Sequence, residues 1–145
     1  MTKYLDENGL AHFMELIKDA LKIPENSSEV NDYVIEQGTS DIWTYRKWAS
    51  GIAECWGTYT SSIAVNKSSP AYGGYRSNNI QLSAYPFAFT ANPAVTATVT
   101  ATGQGAWVSN CQDGNATRCA FYLGCGASLS AANRSVSIHA FGRWK

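Results

Sequence analysis

Acidic side chains are scarce through most of this chain: beyond residue 36 only Asp41, Glu54 and Asp113 remain. Acid–base hydrolysis of glycosides needs two carboxyl groups in one pocket. Glu54 is expected to pair with Lys47, and Asp113 sits in a Gln-Asp-Gly-Asn turn where aspartate bonds its own backbone. Histidine is scarcer still, with His139 the only one after residue 12. It falls on an expected strand beside Ser135, Ser137, Phe141 and Arg143, in a structural place, so a cysteine or serine nucleophile has little base to draw on. Tyr72-Gly73-Gly74-Tyr75 follows no strand-to-helix step and is not a phosphate loop. Apolar runs of membrane-spanning length are missing, and the polar start Met1–Asp6 has no signal-peptide pattern. Cys55, Cys111, Cys119 and Cys125 have no zinc-ligand spacing. No catalytic residue, no metal, no cofactor and no membrane insertion are therefore expected. Cys55 and Cys119 fall on expected strands as small buried residues; a Cys111–Cys125 disulfide stays open.

What is present is apolar and aromatic: 45% of the 145 residues are hydrophobic and 12% aromatic, enough for a core and against global disorder. The formal net charge is zero, which leaves no basic footprint for nucleic acid. The charge is uneven, however. Acids dominate residues 1–36, and bases outnumber the three acids from residue 37 onward. A mildly cationic remainder suits anionic wall polymers, although a scattered surplus of this size is also ordinary.

Residues 6–22 read as an amphipathic helix. Leu10, Phe13, Met14, Ile17 and Leu21 recur at three- and four-residue steps, Asp6 or Asn8 can cap the start, and Pro24 stops it. So short a helix is marginal alone. It can pack on its own chain or bundle with copies of itself, and the polar stretch Glu25–Asp32 behind it favours the bundle. The expected organisation is a helix within 1–24 that trimerises, a linker over 25–32, and a β-structured head over 33–145.

From Tyr33 the hydrophobic period becomes two. Strands are expected at Tyr33–Glu36, Ile42–Ala49, Ile52–Tyr59, Asn79–Tyr85, Val95–Ala101, Ala106–Asn110, Thr117–Leu123 and Arg134–Trp144, with a brief one at Ile63–Val65. Loops are expected over Ser61–Asn78, Gln112–Ala116 and Gly124–Asn133. Val95, Ala97, Val99 and Ala101 should point inward against outward threonines. The last strand is apolar enough to be central. The fold class is mainly β: an antiparallel β-sandwich or jelly-roll-like head with a short N-terminal α-helix.

Ile42–Tyr59 is the most specific stretch. Its two runs flank Ser50-Gly51 and read as a hairpin. A two-residue turn sets Lys47 opposite Glu54 and Tyr45 opposite Trp56; a three-residue loop would shift that register. With the shorter turn, one face carries Trp43, Tyr45, Ile52 and Trp56. The other carries Ile42, Trp48, Ala53, Cys55 and Tyr59. A ribbon apolar on both faces needs two dry neighbours, of which the second is expected to be another copy of the chain. Trp43, Tyr45 and Trp56 thus join Leu10, Phe13, Met14, Ile17 and Leu21 as candidates for a trimer interface.

The run Glu36–Gly57 (EQGTSDIWTYRKWASGIAECWG), with Thr2–Lys18 and Tyr85–Val99, resembles the C-terminal head domain and helical opener of tail-fibre and baseplate proteins. The proteins concerned come from phages and prophages of Gram-positive bacteria. The resemblance implies a homotrimeric virion-tail protein, assembled in the bacterial cytoplasm alongside other tail and baseplate proteins. It also implies a head that often binds the host surface, here cell-wall or surface polysaccharide. Sugar binding asks for an exposed aromatic with amide, carboxylate or guanidinium groups nearby, held by a rigid scaffold. Two loop clusters offer this: Tyr72, Tyr75, Arg76 and Asn78, and Trp107, Asn110, Asp113 and Asn115. A structural tail component without ligand and a small wall-degrading enzyme are the alternative readings.

Overall fold

The computed structural model describes residues 7–20, 32–100, 105–110 and 114–145. It divides into two units, 1–31 and 32–145. In the first, α1 spans Glu7–Ala20, with Leu10, Phe13, Met14 and Leu16 each about half exposed and Ile17 partly covered. Leu21 and most of the expected linker lie outside the described residues.

The second unit is built from strands, in chain order β1 (Val34–Ser40), β2 (Trp43–Trp48), β3 (Ile52–Val65), β4 (Lys67–Ser69), β5 (Gly74–Arg76), β6 (Ile80–Ala84), β7 (Ala94–Thr100), β8 (Ala106–Asn110), β9 (Arg118–Cys125) and β10 (Leu129–Arg143). They form two antiparallel five-stranded sheets. The first has the order β1-β2-β3-β10-β7; in the second, β4-β5-β9-β6 is completed by β8 on the far side of β9. This is the mainly-β, sandwich-like class that the alternating pattern indicates.

The frame of the first sheet is the long β3–β10 ribbon, paired from Leu129↔Val65 to Arg143↔Ile52 with one slip between Leu129 and Ala132. Its inward residues Ala53, Cys55, Val136, Ile138 and Ala140 are all buried, because strict alternation sends every second side chain to one face. β10 is central, as its composition suggests. On β7, Val95, Ala97 and Val99 turn toward the core and the threonines outward. Two expected loops are strand instead. β3 continues without interruption through Ser61 and Ser62 to Val65, and Gly124–Asn133 contributes the end of β9 and the start of β10. Small residues there hide the period.

The hairpin differs from expectation in register. Gly51 takes φ +89° and its N–H donates to the Trp48 carbonyl at 3.1 Å, so the connection is the three-residue loop Ala49-Ser50-Gly51. A glycine in the last, left-handed position makes that loop favourable. Asp32 pins it, accepting from the Ser50 amide at 2.9 Å and the Ser50 hydroxyl at 2.6 Å. The pairs become Trp43↔Gly57, Thr44↔Trp56, Tyr45↔Cys55, Arg46↔Glu54 and Lys47↔Ala53. One residue of slip exchanges faces. Trp43 and Tyr45 turn inward with Ala53 and Cys55, while Trp56 turns outward with Thr44, Arg46 and Glu54.

The ribbon is therefore not apolar on both sides, and the second dry neighbour it was expected to require is not required. Trp43 is 1% exposed inside its own core, its ring 5.2 Å from Tyr85, which leaves no surface for a neighbouring subunit. Tyr45 meets Phe87 edge-on at 5.8 Å. Trp56 lies under Arg46, 5.2 Å from the guanidinium carbon. Lys47 pairs not with Glu54 but with Glu36 at 2.9 Å. Glu54 instead meets His139 at 2.7 Å and Arg46 at 4.0 Å.

Behind β6, the segment Tyr85–Phe89 packs three rings in sequence, Tyr85 on Phe89 at 5.3 Å and Phe87 on Phe89 at 4.8 Å. Its backbone is tied at Tyr85 to Thr117, at Phe89 to Ala116 and at Thr90 to Arg143. Cys55, Cys119 and Cys125 are buried, and the open Cys111–Cys125 pairing turns on Cys111, which lies outside the described residues.

Candidate functional site

The second sheet carries the candidate site on its outer face. β9 alternates, with Cys119, Phe121 and Leu123 buried inward, so Tyr122 and Gly124 belong to the opposite side. Three pairings meet there. Arg76 is the partner of Gly124 from one side, Trp107 is its partner from the other, and Lys67 is the partner of Arg76 one strand further out. Lys67, Arg76, Gly124 and Trp107 thus form one row across four strands. The next row places Ser109 beside Tyr122.

Gly124 lets the row work. A Cβ there would stand 2.6 Å from the Trp107 Nε1 and 2.7 Å from its Cε2, so the indole lies directly over the bare backbone. Trp107 nevertheless remains 43% exposed, a flat ring supported from beneath and open above. The Arg76 guanidinium carbon is 4.7 Å from the Tyr122 ring centroid, and its Nη1 donates to the Ser77 carbonyl at 3.2 Å. That cation–π contact holds the head of Arg76 against the Tyr122 ring.

Below the row, Ser77 repairs the step between β5 and β6. Fully buried, its hydroxyl accepts from the Leu123 amide at 3.0 Å and donates to the Asn78 carbonyl at 2.7 Å, while its amide donates to the Leu123 carbonyl at 2.9 Å. A side chain thereby completes the backbone ladder where two short strands share one edge of β9.

The two expected clusters are redistributed. From the first, Arg76 faces outward, but Tyr75 pairs with Cys125 and packs against the core; Asn78 is exposed in the step. From the second, Trp107 joins Arg76. Asn115 is used locally, its Oδ1 accepting from the Thr117 amide at 2.8 Å, the Thr117 hydroxyl at 2.7 Å and the Arg118 amide at 3.1 Å. Asn115 also borders a cavity of about 210 Å³, away from the row, with Tyr85, Asn92, Val95 and Arg118. The side chains of Tyr72 and Asn110, and all of Asp113, lie outside the described residues. Lys67, Tyr122 and Gly124 are members that sequence reasoning missed. For Tyr122 a signal existed, since it is the aromatic out of phase with Cys119, Phe121 and Leu123.

A second concavity, about 340 Å³, lies on the outer face of the first sheet between Trp56, Thr58, Thr96, Thr98, Ser137 and His139. Hydroxyls there pair with each other, Thr60 with Ser135 at 2.7 Å and Thr58 with Ser137 at 3.5 Å. His139 faces out toward Glu54, whereas Cys55 and Cys119 face the core. The described residues bring no cysteine to the histidine. Burial pushes the Cys55 thiol up to about 12, so it stays protonated and a poor nucleophile. Burial likewise raises the Tyr85 hydroxyl. No group of three or more metal-ligating side chains occurs among the described residues, and none of their helices is long and apolar enough to cross a membrane.

No family model matches the sequence, and no curated protein does. Two solved structures are similar in fold. One is the C-terminal part of the R1 pyocin fibre of P. aeruginosa, at a TM-score of 0.54 and 17% identity, covering 74% of this chain and 28% of that one. The other is an N-truncated R1-type pyocin tail fibre, at 0.52 and 14% identity, covering 88% of this chain and 94% of that one. The chain thus spans little more than a quarter of the first. Both are pyocin fibres and not proteins from phages of Gram-positive bacteria, so the likeness is one of tail-fibre fold and does not extend to that narrower group.

Proposed function

We propose that this chain is a tail-fibre or baseplate tip protein of phage type, carried on a virion tail and acting by binding rather than catalysis. In this reading the outer face of the second sheet recognises a saccharide of the host surface. The observation that carries it is the in-register row in which Trp107, bedded on Gly124, presents an exposed indole two strands from Arg76. A flat aromatic stacks on the apolar face of a sugar ring, and a fixed guanidinium supplies directional donors for its oxygens. The similarity in fold to pyocin tail fibres supports the tail assignment.

Homotrimer formation belongs to the same proposal. It rests on α1, whose Leu10, Phe13 and Met14 are half exposed in a helix too short to be stable without a partner. Three heads on one axis would let weak sites act together. Light scattering at low concentration tests this: a mass three times the 15.7 kDa chain is expected, and a chain-sized mass refutes it.

For binding, purified protein is incubated with intact walls from a panel of bacterial strains. Strain-specific retention is expected, lost in Trp107→Ala. It should also weaken in Gly124→Ala, whose added methyl lifts the indole while a folded far-ultraviolet spectrum is kept. Retention on no strain, or retention indifferent to Trp107, favours a ligand-free structural component. Release of reducing sugar or peptide from the walls would instead favour a wall-degrading enzyme.

A further inference from the structure

We infer that the saccharide taken by this face carries a negatively charged substituent, held by Arg76 and Lys67 while the adjoining sugar ring lies on Trp107. The inference rests on the saccharide reading and adds the class of ligand.

Three observations carry it. First, the sequence has no acid at all between Glu54 and Asp113, so β4, β5, β6 and β8, together with β9, contribute no carboxylate to the sheet. Second, Lys67 and Arg76 are register partners on adjacent strands, and among the described residues neither makes an ion pair. By contrast, Arg46 and Lys47 on the first sheet's β2 face Glu54 and Glu36. Third, the Arg76 head is oriented but not saturated. The Tyr122 ring holds it by a cation–π contact and one donor goes to Ser77, which leaves most of its five N–H groups for an incoming group.

Two neighbouring cations without a carboxylate repel each other, and an anion between them removes that repulsion while gaining charge-assisted hydrogen bonds. Neutral sugar hydroxyls gain no such benefit. The geometry also sets the order of the ligand's parts. Arg76 and Trp107 stand two strand spacings apart, about 9–10 Å, so anion and stacked ring occupy neighbouring units of a chain. A carboxylate and a phosphate share this chemistry, and they are separated by experiment.

The test uses full-length protein and walls from a strain that retains it, prepared in three forms: untreated, stripped of phosphodiester-linked polymer by cold hydrofluoric acid, and with carboxyl groups converted to amides by carbodiimide and methylamine. At least a tenfold loss of retention is expected on one treated form, and the form affected names the anion. Lys67→Gln and Arg76→Gln should reproduce that loss on untreated walls with unchanged thermal midpoints. Retention should also fall as sodium chloride rises from about 50 to 500 mM, as screening of an exposed charge requires.

Equal retention on all three forms, with both charge variants binding like the parent and Trp107→Ala still abolishing binding, overturns the inference and leaves the saccharide reading standing. Retention on no strain, or retention unaffected by Trp107→Ala, overturns both. Loss on a treated form without loss in either charge variant also overturns the assignment of the anion to this row.

Discussion

Replacing Arg134 with methionine removes a guanidinium that holds together an irregular turn of the long ribbon. Between Leu129 and Ala132, β10 gains one residue on β3, since Leu129 pairs with Val65 but Ala132 with Ile63. A bulge of this kind leaves carbonyls without ladder partners. Arg134, only 6% exposed, takes them. Its Nη1 donates to Ile63, to Ser130 at 3.2 Å and to Ala132 at 3.2 Å, and its Nη2 donates to Ser130 at 3.2 Å.

Methionine preserves most of the apolar stem and strands three carbonyls, that of Ile63 buried and those of Ser130 and Ala132 partly so. Each unsatisfied buried acceptor costs about 1–3 kcal/mol, and relief from burying a charge offsets part of that sum. Net destabilisation of about 3–5 kcal/mol is expected, which is of the order of 10–20 °C in midpoint for a domain of this size. Lysine, with a charge but no fork, should fall between parent and methionine. Urea titration followed by circular dichroism is the assay, with the slope held constant to show that only stability has changed. A loss below about 1 kcal/mol for Arg134→Met refutes the claim that this side chain carries the bulge.

Lys47 sits among rings, its Nζ 5.1 Å from Phe87, 5.1 Å from Trp144 and 5.9 Å from Tyr45, with Glu36 at 2.9 Å. Lys47→Met should cost about 1–2 kcal/mol by urea titration, and a change under 0.5 kcal/mol, on the same approximate scale, would discount the contacts. The Lys47 hydrogen bond, then that from Tyr45, holds the Glu36 carboxyl below its ordinary 4.5. Its contribution is present above that value and lost as pH falls through the lowered one, so the midpoint of the parent should drop on acidification more than that of Lys47→Met. Gly57→Ala places a methyl 2.1 Å from the Ile42 carbonyl oxygen and should cost about 3 kcal/mol or more, read by the same titration; near-parent stability would mean that the crossing is loose. For Cys55 and Tyr85 the raised values mean that the native state holds its protons longer. For Cys55 the contribution is therefore full below the ordinary thiol value of 9 and declines as pH climbs toward about 12. For Tyr85 it is full below the ordinary phenol value of 10 and declines at higher pH. Mass-spectrometric mapping at pH 8 should find Cys55 alkylated only after unfolding, and rapid native labelling would contradict its burial.

Alternation made β7 and β10 readable, because Val-Ala-Val against threonine and Val-Ile-Ala against serine leave one choice of face. The hairpin was readable as a hairpin but not in its register. Ser50-Gly51 is equally compatible with a two-residue or a three-residue loop, and the choice decides which tryptophan is core. Trp43 and Trp56, expected on one face, part company on that one residue, and with them went the reason for a second dry neighbour. The site was less legible still. Arg76, Trp107 and Gly124 are far apart in sequence and meet only through pairing with β9. Nothing local in Leu123-Gly124-Cys125-Gly126 announces a strand, let alone a bed for an indole.

The two sheets differ in how deeply their residues are committed. Lys67, Arg76, Trp107 and Tyr122 are all absent from the core cluster, while the long β3–β10 ribbon and the ring stack beneath Tyr85 hold the architecture without them. Under the proposed binding reading, a handful of codon changes on these short strands would redirect attachment toward a different coat while folding proceeds undisturbed.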